Sequence, residues 1–439
     1  MTSHTDTQNA LSIEHLREKL IALGADDIGF ISLDRPEIAD QKARILEAFP
    51  KTRSLISFVV KMNREPVRSP ARSISNLEFH QTGEQVNHIA RKAVRYFESL
   101  NIPAMNPTMG FPMEMDKYPE HATQMFVVSH KPVAAAAGLG KMGIHRNIIH
   151  PKFGNFILLG TILVAAELKE TQPIDYNPCL KCKLCVAVCP VGAIAPDGHF
   201  NATACYTHNY REFMGGFSDW VETVADSKNS TNYRERVSRS ETASLWQSLS
   251  FGANYKAAYC LSVCPAGEDV IQPFIEDRKG FLQDYVKPLQ KKPEQVFVVK
   301  GSDAESHLLK RFPEKTPRYI SSGLTPNSIT AFINGLPLAF QRGASKGLSA
   351  TYHFVFTGKE PAEAYVRIHE QQLQVWKTPK DIAQARNKYP EDLKITANSK
   401  IWIRFLNKDY PLIIALLSGK LKLKGSPKHL LGFAKCFPG

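Results

Sequence analysis

Four thiols carry the most specific chemistry in this chain. Cys179, Cys182, Cys185 and Cys189 precede Pro190 as C-x2-C-x2-C-x3-C-P. This is a spacing by which thiolates hold an iron–sulfur cubane. Three side chains at i, i+3 and i+6 in a tight loop converge on one cluster. The fourth points away and serves a second cluster. Pro190 keeps the chain from running on as a simple helix around the metal. Buried or disulfide-bonded thiols and a zinc site are the competing readings. Zinc ligands usually come as separated C-x2-4-C pairs, which suits the run less well. The chemistry expected is electron transfer.

A second cluster needs more thiols, and they are present. Cys205 follows, and Cys260 and Cys264 form a C-x3-C-P with Pro265, so seven of the eight cysteines lie between 179 and 264. Exchanging the fourth ligands assigns Cys179, Cys182, Cys185 and Cys264 to one 4Fe-4S cluster. Cys189, Cys205 and Cys260 go to the other, which is left one ligand short. A non-cysteine such as His208, or a 3Fe-4S form, would account for the gap. The plainer reading of His208 is an ordinary histidine. Cys436 belongs to a different region.

Gly138, Leu139, Gly140 and Gly143 lie in AAAAGLGKMG, a literal G-x-G-x-x-G. A dinucleotide fingerprint needs a strand before it and a helix after. Here an alanine run precedes and Pro151 follows soon after. Two readings remain. One is a tight turn that lets two backbones approach. The other is a flat backbone shelf against a large planar cofactor, because glycine adds no side-chain bulk.

The elements that must position these residues follow from periodicity. Ile13, Leu16, Leu20 and Leu23 predict a helix over 11–24, with Ser12 as its cap. Strands are expected over 28–33, 55–62, 125–128 and 156–164, and helices over 37–48 and 84–100. The alternation suggests an α/β (α+β) layer for 1–170, serving as cofactor or substrate domain. Residues 171–283 form a cluster-bearing region with a helix from near Asn201. Within it, 208–256 reads as a loop or excursion. Lys287, Pro288, Lys291, Lys292 and Pro293 mark 284–304 as a linker. Residues 305–439 form a second α/β domain, with a hairpin over 348–358 and 364–375 and helices over 401–407 and 410–417.

Composition is ordinary for a soluble globular protein, with 43% apolar and 22% charged residues. The polar first ten residues carry neither a twin-arginine pair nor an apolar h-region, so a cytoplasmic location is expected. The net charge of +13 is uneven. Residues 305–439 hold 21 Lys+Arg and 9 Asp+Glu, leaving 34 and 33 of the totals 55 and 42 for the rest. Such an excess suits an acidic partner surface, anionic lipid headgroups among them. A merely solvated basic face is the alternative. No nucleic-acid motif accompanies the charge, and no nucleic-acid partner is expected.

Two resemblances sharpen the reading. Pro132 to Gly140, then Gly143 and Pro151-Lys152-Phe153-Gly154, lead into C-x2-C-x2-C-x3-C-P-V-G-A-I, a lone cysteine and C-x3-C-P. Over about residues 10–280 this order resembles the epoxyqueuosine reductase and reductive dehalogenase superfamily. The resemblance implies two cubane clusters and a base-off cobalamin over the α/β core. It places the glycine-rich segment in the cofactor-binding part. It also implies reductive chemistry fed by an external ferredoxin- or flavodoxin-type donor. The chain departs from that pattern at Ala257, where the family has a further cysteine. Gln124 falls near the family's proton-donating aspartate, and glutamine cannot replace a carboxylic acid there. Epoxyqueuosine reduction itself is therefore not expected. Tyr118 is available for a dehalogenase-type tyrosine, without a motif to place it.

The second resemblance covers about residues 320–439. Leu417-Ser-Gly-Lys-Leu-Lys-Leu-Lys-Gly425-Ser-Pro-Lys428 is similar to the end of a sterol carrier protein type 2 domain. That implies an apolar tunnel for a lipid or other hydrophobic molecule. Lys420, Lys422 and Lys424 alternate on a strand and share a face. The combined expectation is a cytoplasmic iron–sulfur oxidoreductase with a fused lipid-binding domain. The alternative is a non-catalytic electron-transfer protein that docks a membrane or partner through its basic domain.

Overall fold

The computed structural model describes residues 11–115, 125–179, 181–213, 215–321 and 326–438. Gln124 and Tyr118 lie outside them. Ser12 caps helix α1 (Ile13–Ala22) by accepting from the His15 amide at 3.2 Å. Leu16 and Leu20, one turn apart, are buried.

Strands β1 (Asp27–Ser32), β2 (Ser54–Lys61), β3 (Ala104–Met105) and β4 (Ile157–Val164) form a sheet in the order β1-β2-β4-β3. Every pairing is antiparallel, so this layer is α+β rather than a parallel α/β sheet. β2 reads as an unbroken apolar run because both faces of the sheet are covered. Ile56, Phe58 and Val60 face α1 and α2 (Arg72–Ser99). Leu55 and Val59 face α3 (His130–Ala136) and the helical stretch 36–48. The strand's period of two divides its residues between two cores. α2 begins at Arg72, well before the expected 84. Residues 125–128 are bends and irregular chain rather than a strand.

Two segments differ more sharply from expectation. Residues 208–256 are not a loop: they hold helices Gly215–Ala225, Ser230–Arg236 and Arg239–Phe251. Asn229 and Ser238 cap the last two through their side-chain oxygens. The buried Arg211 guanidinium holds Asp219 at 2.6 Å and Glu241 at 3.3 Å, which fastens the excursion to itself. Nor are residues 284–304 a linker. β5 (Gln295–Val298) pairs in parallel with β6 (Thr316–Tyr319), and a helix, Asp303–Arg311, crosses between them. Val296, Val298, Leu308 and Phe312 pack on Cys189, Val191 and Ala193. This β-α-β unit therefore packs into the core of the cysteine region.

The C-terminal domain is a five-stranded sheet. Its strands are β7 (Ala350–Thr357), β8 (Ala362–His369), β9 (Gln372–Trp376), β10 (Leu393–Asn398) and β11 (Leu421–Gly425), in the order β9-β8-β7-β10-β11. The run expected as one strand over 364–375 is split by a turn at Glu370 and Gln371, both left-handed. Its core interlocks Phe332, Phe354, Phe356, Trp402 and Phe433. Among the described residues no helix is long and apolar enough to cross a membrane.

The β-α-β unit is pinned by a buried charge. Lys315, whose side chain is 0% exposed, donates to the Leu289 and Lys292 carbonyls at 2.9 and 3.0 Å and to Glu294 Oε1 at 2.7 Å. Burial works against the Glu294 carboxylate, but Lys315 and Lys292 outweigh it and hold its pKa below the usual range. Glu294→Gln leaves the ammonium without its counter-charge and is expected to cost about 3 kcal/mol in urea unfolding. A carboxyl with a depressed folded pKa stabilises fully above its usual pKa of 4.5. That stability is lost as the pH falls through the depressed value. The gap between the two proteins should therefore narrow in acid, and a gap independent of pH would contradict this account.

Candidate metal centre

Two short helices carry the cysteine motifs. Cys185 is the second residue of α4 (Leu184–Val188) and Cys260 the second residue of α6 (Tyr259–Ser262). Each helix is preceded by a left-handed residue, Lys183 at φ 56° and Ala258 at φ 52°. A left-handed non-glycine costs roughly 1 kcal/mol. The same device in both motifs makes the chain turn sharply just before the central thiol. Superposing the two motifs sets Cys185 with Cys260 and Cys189 with Cys264. Cys182 then corresponds to Ala257. Local backbone geometry thus marks Ala257 as the position where a ligand is missing. Its amide is held instead by Asn209 Oδ1 at 3.0 Å.

Cys179, Cys182, Cys185 and Cys264 line one cavity, together with Ile144, His145 and Ile149. These are the four ligands that exchange between the motifs assigns to one cluster. The Ile144 amide lies 3.4 Å from Cys179 Sγ, and the Ala193 amide 3.3 Å from Cys189 Sγ. Such N–H···S contacts favour thiolate over thiol. The remaining three thiols form a second group. Cys205 is repelled by Cys260 and Cys189, and Cys260 by Cys189.

Without iron, burial favours the protonated form of Cys185, Cys189, Cys205, Cys260 and Cys264. Burial pushes the Cys260 and Cys264 thiols up to about 12, with repulsion from neighbouring sulfurs adding to it. Burial also raises Cys185, reinforced by Cys260, Cys264, Cys182 and Cys179, so this residue faces both groups. A bound metal inverts that logic and deprotonates its thiols outright. Among the described residues no three His, Cys, Asp or Glu side chains converge on a single metal ion. Cubane ligands sit at the corners of a cluster, farther apart than the ligands of one ion. Four motif thiols lining one cavity fit an iron–sulfur cluster.

Two cations that sequence reasoning missed support the fit. Lys131 donates to the Arg146 carbonyl at 2.8 Å and to Asn147 Oδ1 at 3.0 Å. Its charge favours the thiolates of Cys205 and Cys260. Arg72 lies over the Tyr259 ring at 5.4 Å, and Cys260 is among the groups that favour its charge. All three of its guanidinium nitrogens are buried with no acceptor among the described residues. Unpaired buried donors beside thiols suit an anionic centre. Neither residue stands in a motif, and no sequence signal marks them.

His208 is buried on α5 (Ala202–Asn209), one turn from Cys205. Its Nδ1 accepts from the Phe297 amide at 3.3 Å, and its Nε2 has no partner among the described residues. Burial lowers its pKa to about 4, and the charges acting on the ring come from Glu294 and three lysines. The structure thus sets this histidine toward the Glu294 group rather than among the thiols.

The glycine turn lets backbones approach closely. α3 carries the alanine run, and the turn follows it. A Cβ on Gly138 would lie 2.3 Å from the Gln172 carbonyl oxygen, and one on Gly140 would lie 2.5 Å from that of Ile149. Both residues hold positive φ, at 81° and 154°. Gly143 abuts the side chains of Ile149 and His145, and Leu139 is buried. On the side a Cβ would occupy, the space at Gly138 and Gly140 is filled by the chain itself.

Comparison with known proteins places the likeness on this region. The 4Fe-4S binding domain family matches residues 173–195. The chain is 37% identical over 76 residues to the epoxyqueuosine reductase of Lactococcus garvieae, covering 17% of this chain and 21% of that one. It is 31% identical over 101 residues to the Escherichia coli enzyme of the same name, covering 23% and 26%. The chain thus aligns with about a quarter of the length of these relatives. Among solved structures, the epoxyqueuosine reductase from Streptococcus thermophilus covers 62% of this chain and 75% of its own, at 14% identity and a TM-score of 0.36. A reductive dehalogenase structure described in terms of B12-dependent dehalogenation gives a TM-score of 0.35 at 15% identity, covering 54% of this chain and 36% of its own. The chain therefore carries a 4Fe-4S binding segment at 173–195.

The two thiol groups should be separable. Cys264→Ser is expected to remove about half of the iron, and Cys205→Ser to spare the cluster at Cys179. Ala257→Cys should complete the second set and raise its iron toward four per cluster. Unchanged iron in all three variants, measured by metal analysis under anaerobic conditions, would refute the ligand assignment.

Proposed function

We propose that this chain is an iron–sulfur reductase. Cys179, Cys182, Cys185 and Cys264 would hold one cluster, and Cys189, Cys205 and Cys260 the other. The observation that carries this reading is the convergence of four motif thiols from two distant segments on one cavity. Bound clusters supply single-electron transfer. The protein's own part is to bury the thiols, to hold Arg72 and Lys131 beside the second group, and to keep water from the sulfurs. A ferredoxin- or flavodoxin-type donor would feed the chain from outside.

Gly138, Leu139, Gly140 and Gly143 would be where a cobalamin meets the chain, and bound there it would supply reductive chemistry. A second reading is an electron-transfer protein without a catalytic site of its own. The C-terminal domain would hold a hydrophobic molecule. In support, the Trp402 indole N–H is buried in an aromatic core with no acceptor among the described residues. An oxygen on a lipid-like guest would satisfy it.

Anaerobically purified protein, incubated with cobalamin and gel-filtered, should retain about seven to eight irons per chain and bleach on reduction. Centres that strong reductant leaves unchanged would overturn the redox reading. Cobalt retained at about one per chain would support corrin chemistry. Iron without cobalt would favour the electron-transfer reading.

A further inference from the structure

The C-terminal segment that follows β10 leaves apolar side chains uncovered. Helix α7 (Ser399–Leu406) packs on the sheet through Ile401 and Trp402. The next helix, α8 (Leu412–Leu417), has the sequence LIIALL but buries only Ala415 fully. Ile413 is 70% exposed, Ile414 49% and Leu417 85%. Leu431, on α9 (Pro427–Lys435), is 67% exposed. A short helix that is apolar all round would normally be buried.

The charge around this helix has one sign. Residues 399–439 contain eight Lys or Arg and a single acid, Asp409. Tyr410, just before α8, is flanked by the Arg404 guanidinium at 5.3 Å and by the Lys420 ammonium at 5.7 Å. Lys420 follows α8 after Ser418 and Gly419, so two cations meet at the ring beside the helix. Lys422 and Lys424 are exposed on β11, an edge strand. Lys420, Lys422, Lys424, Lys428 and Lys435 make no ion pair with a described residue. Apolar side chains between unpaired cations match a bilayer surface. The headgroups there are anionic, and the acyl boundary lies a few ångström deeper.

We infer that α8 and the lysines of β11 form a docking surface for an anionic lipid bilayer. Ile413, Ile414 and Leu417 enter the acyl boundary, while Lys420, Lys422 and Lys424 meet the headgroups. This inference does not depend on the metal centre. Phe433 joins this segment to the core that holds Trp402, so docking brings that core to the bilayer.

The test is sedimentation of the full chain with vesicles of phosphatidylcholine alone or with about a third phosphatidylglycerol. Binding to the anionic vesicles should exceed binding to the neutral ones by about tenfold and fall as salt is added. Ile413→Asp with Leu417→Asp, and separately Lys420→Glu with Lys422→Glu and Lys424→Glu, should each lower it about tenfold. Both variants should keep the parent's Trp402 fluorescence and thermal unfolding, which confirms that the C-terminal domain folds. Absence of binding to anionic vesicles, or full binding by both variants, would overturn the inference. So would a vesicle-free dimer that the Ile413→Asp, Leu417→Asp variant abolishes, since the surface would then belong to a second copy of the chain.

Discussion

Packing several thiols against one another in a nearly dry region is the constraint on which the rest of this structure depends. A lone buried thiol is a small apolar group and settles readily in a core. Thiols that must act as ligands repel one another once charged, and here burial already opposes their charge. Only a highly charged metal centre reconciles burial with thiolate. That requirement explains the local architecture. The helices that carry Cys185 and Cys260 are five and four residues long, too short to be stable by themselves. Ligation takes over the organising role that an apolar face has in a longer helix.

The surroundings follow from the same constraint. The β-α-β unit closes over Cys189, so the segment after the last motif seals the cluster region. Lys315 sits inside that seal and is satisfied by two carbonyls and one carboxylate. On the other side, Arg72 and Lys131 reach in from helices of the N-terminal layer. The antiparallel sheet thus has a task beyond its own stability. It carries α2 and α3, and these carry the two cations. The glycine turn belongs to the same arrangement, since Gly140 lets the chain pass close to Ile149, which lines the first thiol cavity.

Legibility in the sequence tracked how local the determinant was. The cysteine spacing is a local pattern with a chemical reason, and it pointed to the four thiols that share a cavity. Ser12 and Asn201 marked helix starts because a cap acts within one turn. The β-α-β unit was hidden because Lys291, Lys292 and Pro293 dominate its approach, while the buried face of β5 is only Val296 and Val298. The excursion at 208–256 looked like a loop because its helices are short and polar, although Asn229 and Ser238 stood at their starts. The glycine pattern was ambiguous for a deeper reason. A missing side chain shows that something comes close, but not whether that neighbour is a cofactor or the chain itself. Arg72 and Lys131 were unreadable because their significance is purely spatial.

The two cysteine motifs are built alike but furnished differently, and this difference has an electrostatic consequence. Both turn through a left-handed residue into a short helix. The first set then has four thiolates available. The second has three, with Ala257 where its counterpart carries Cys182. It also has two cations near it, one of them a guanidinium with no acceptor of its own among the described residues. Cluster potential depends on net charge, on hydrogen bonds to sulfur and on burial. One thiolate fewer and two cations more both lower the negative charge that an added electron must meet. Cys185, which is repelled by thiols of both sets, lies at the contact between them.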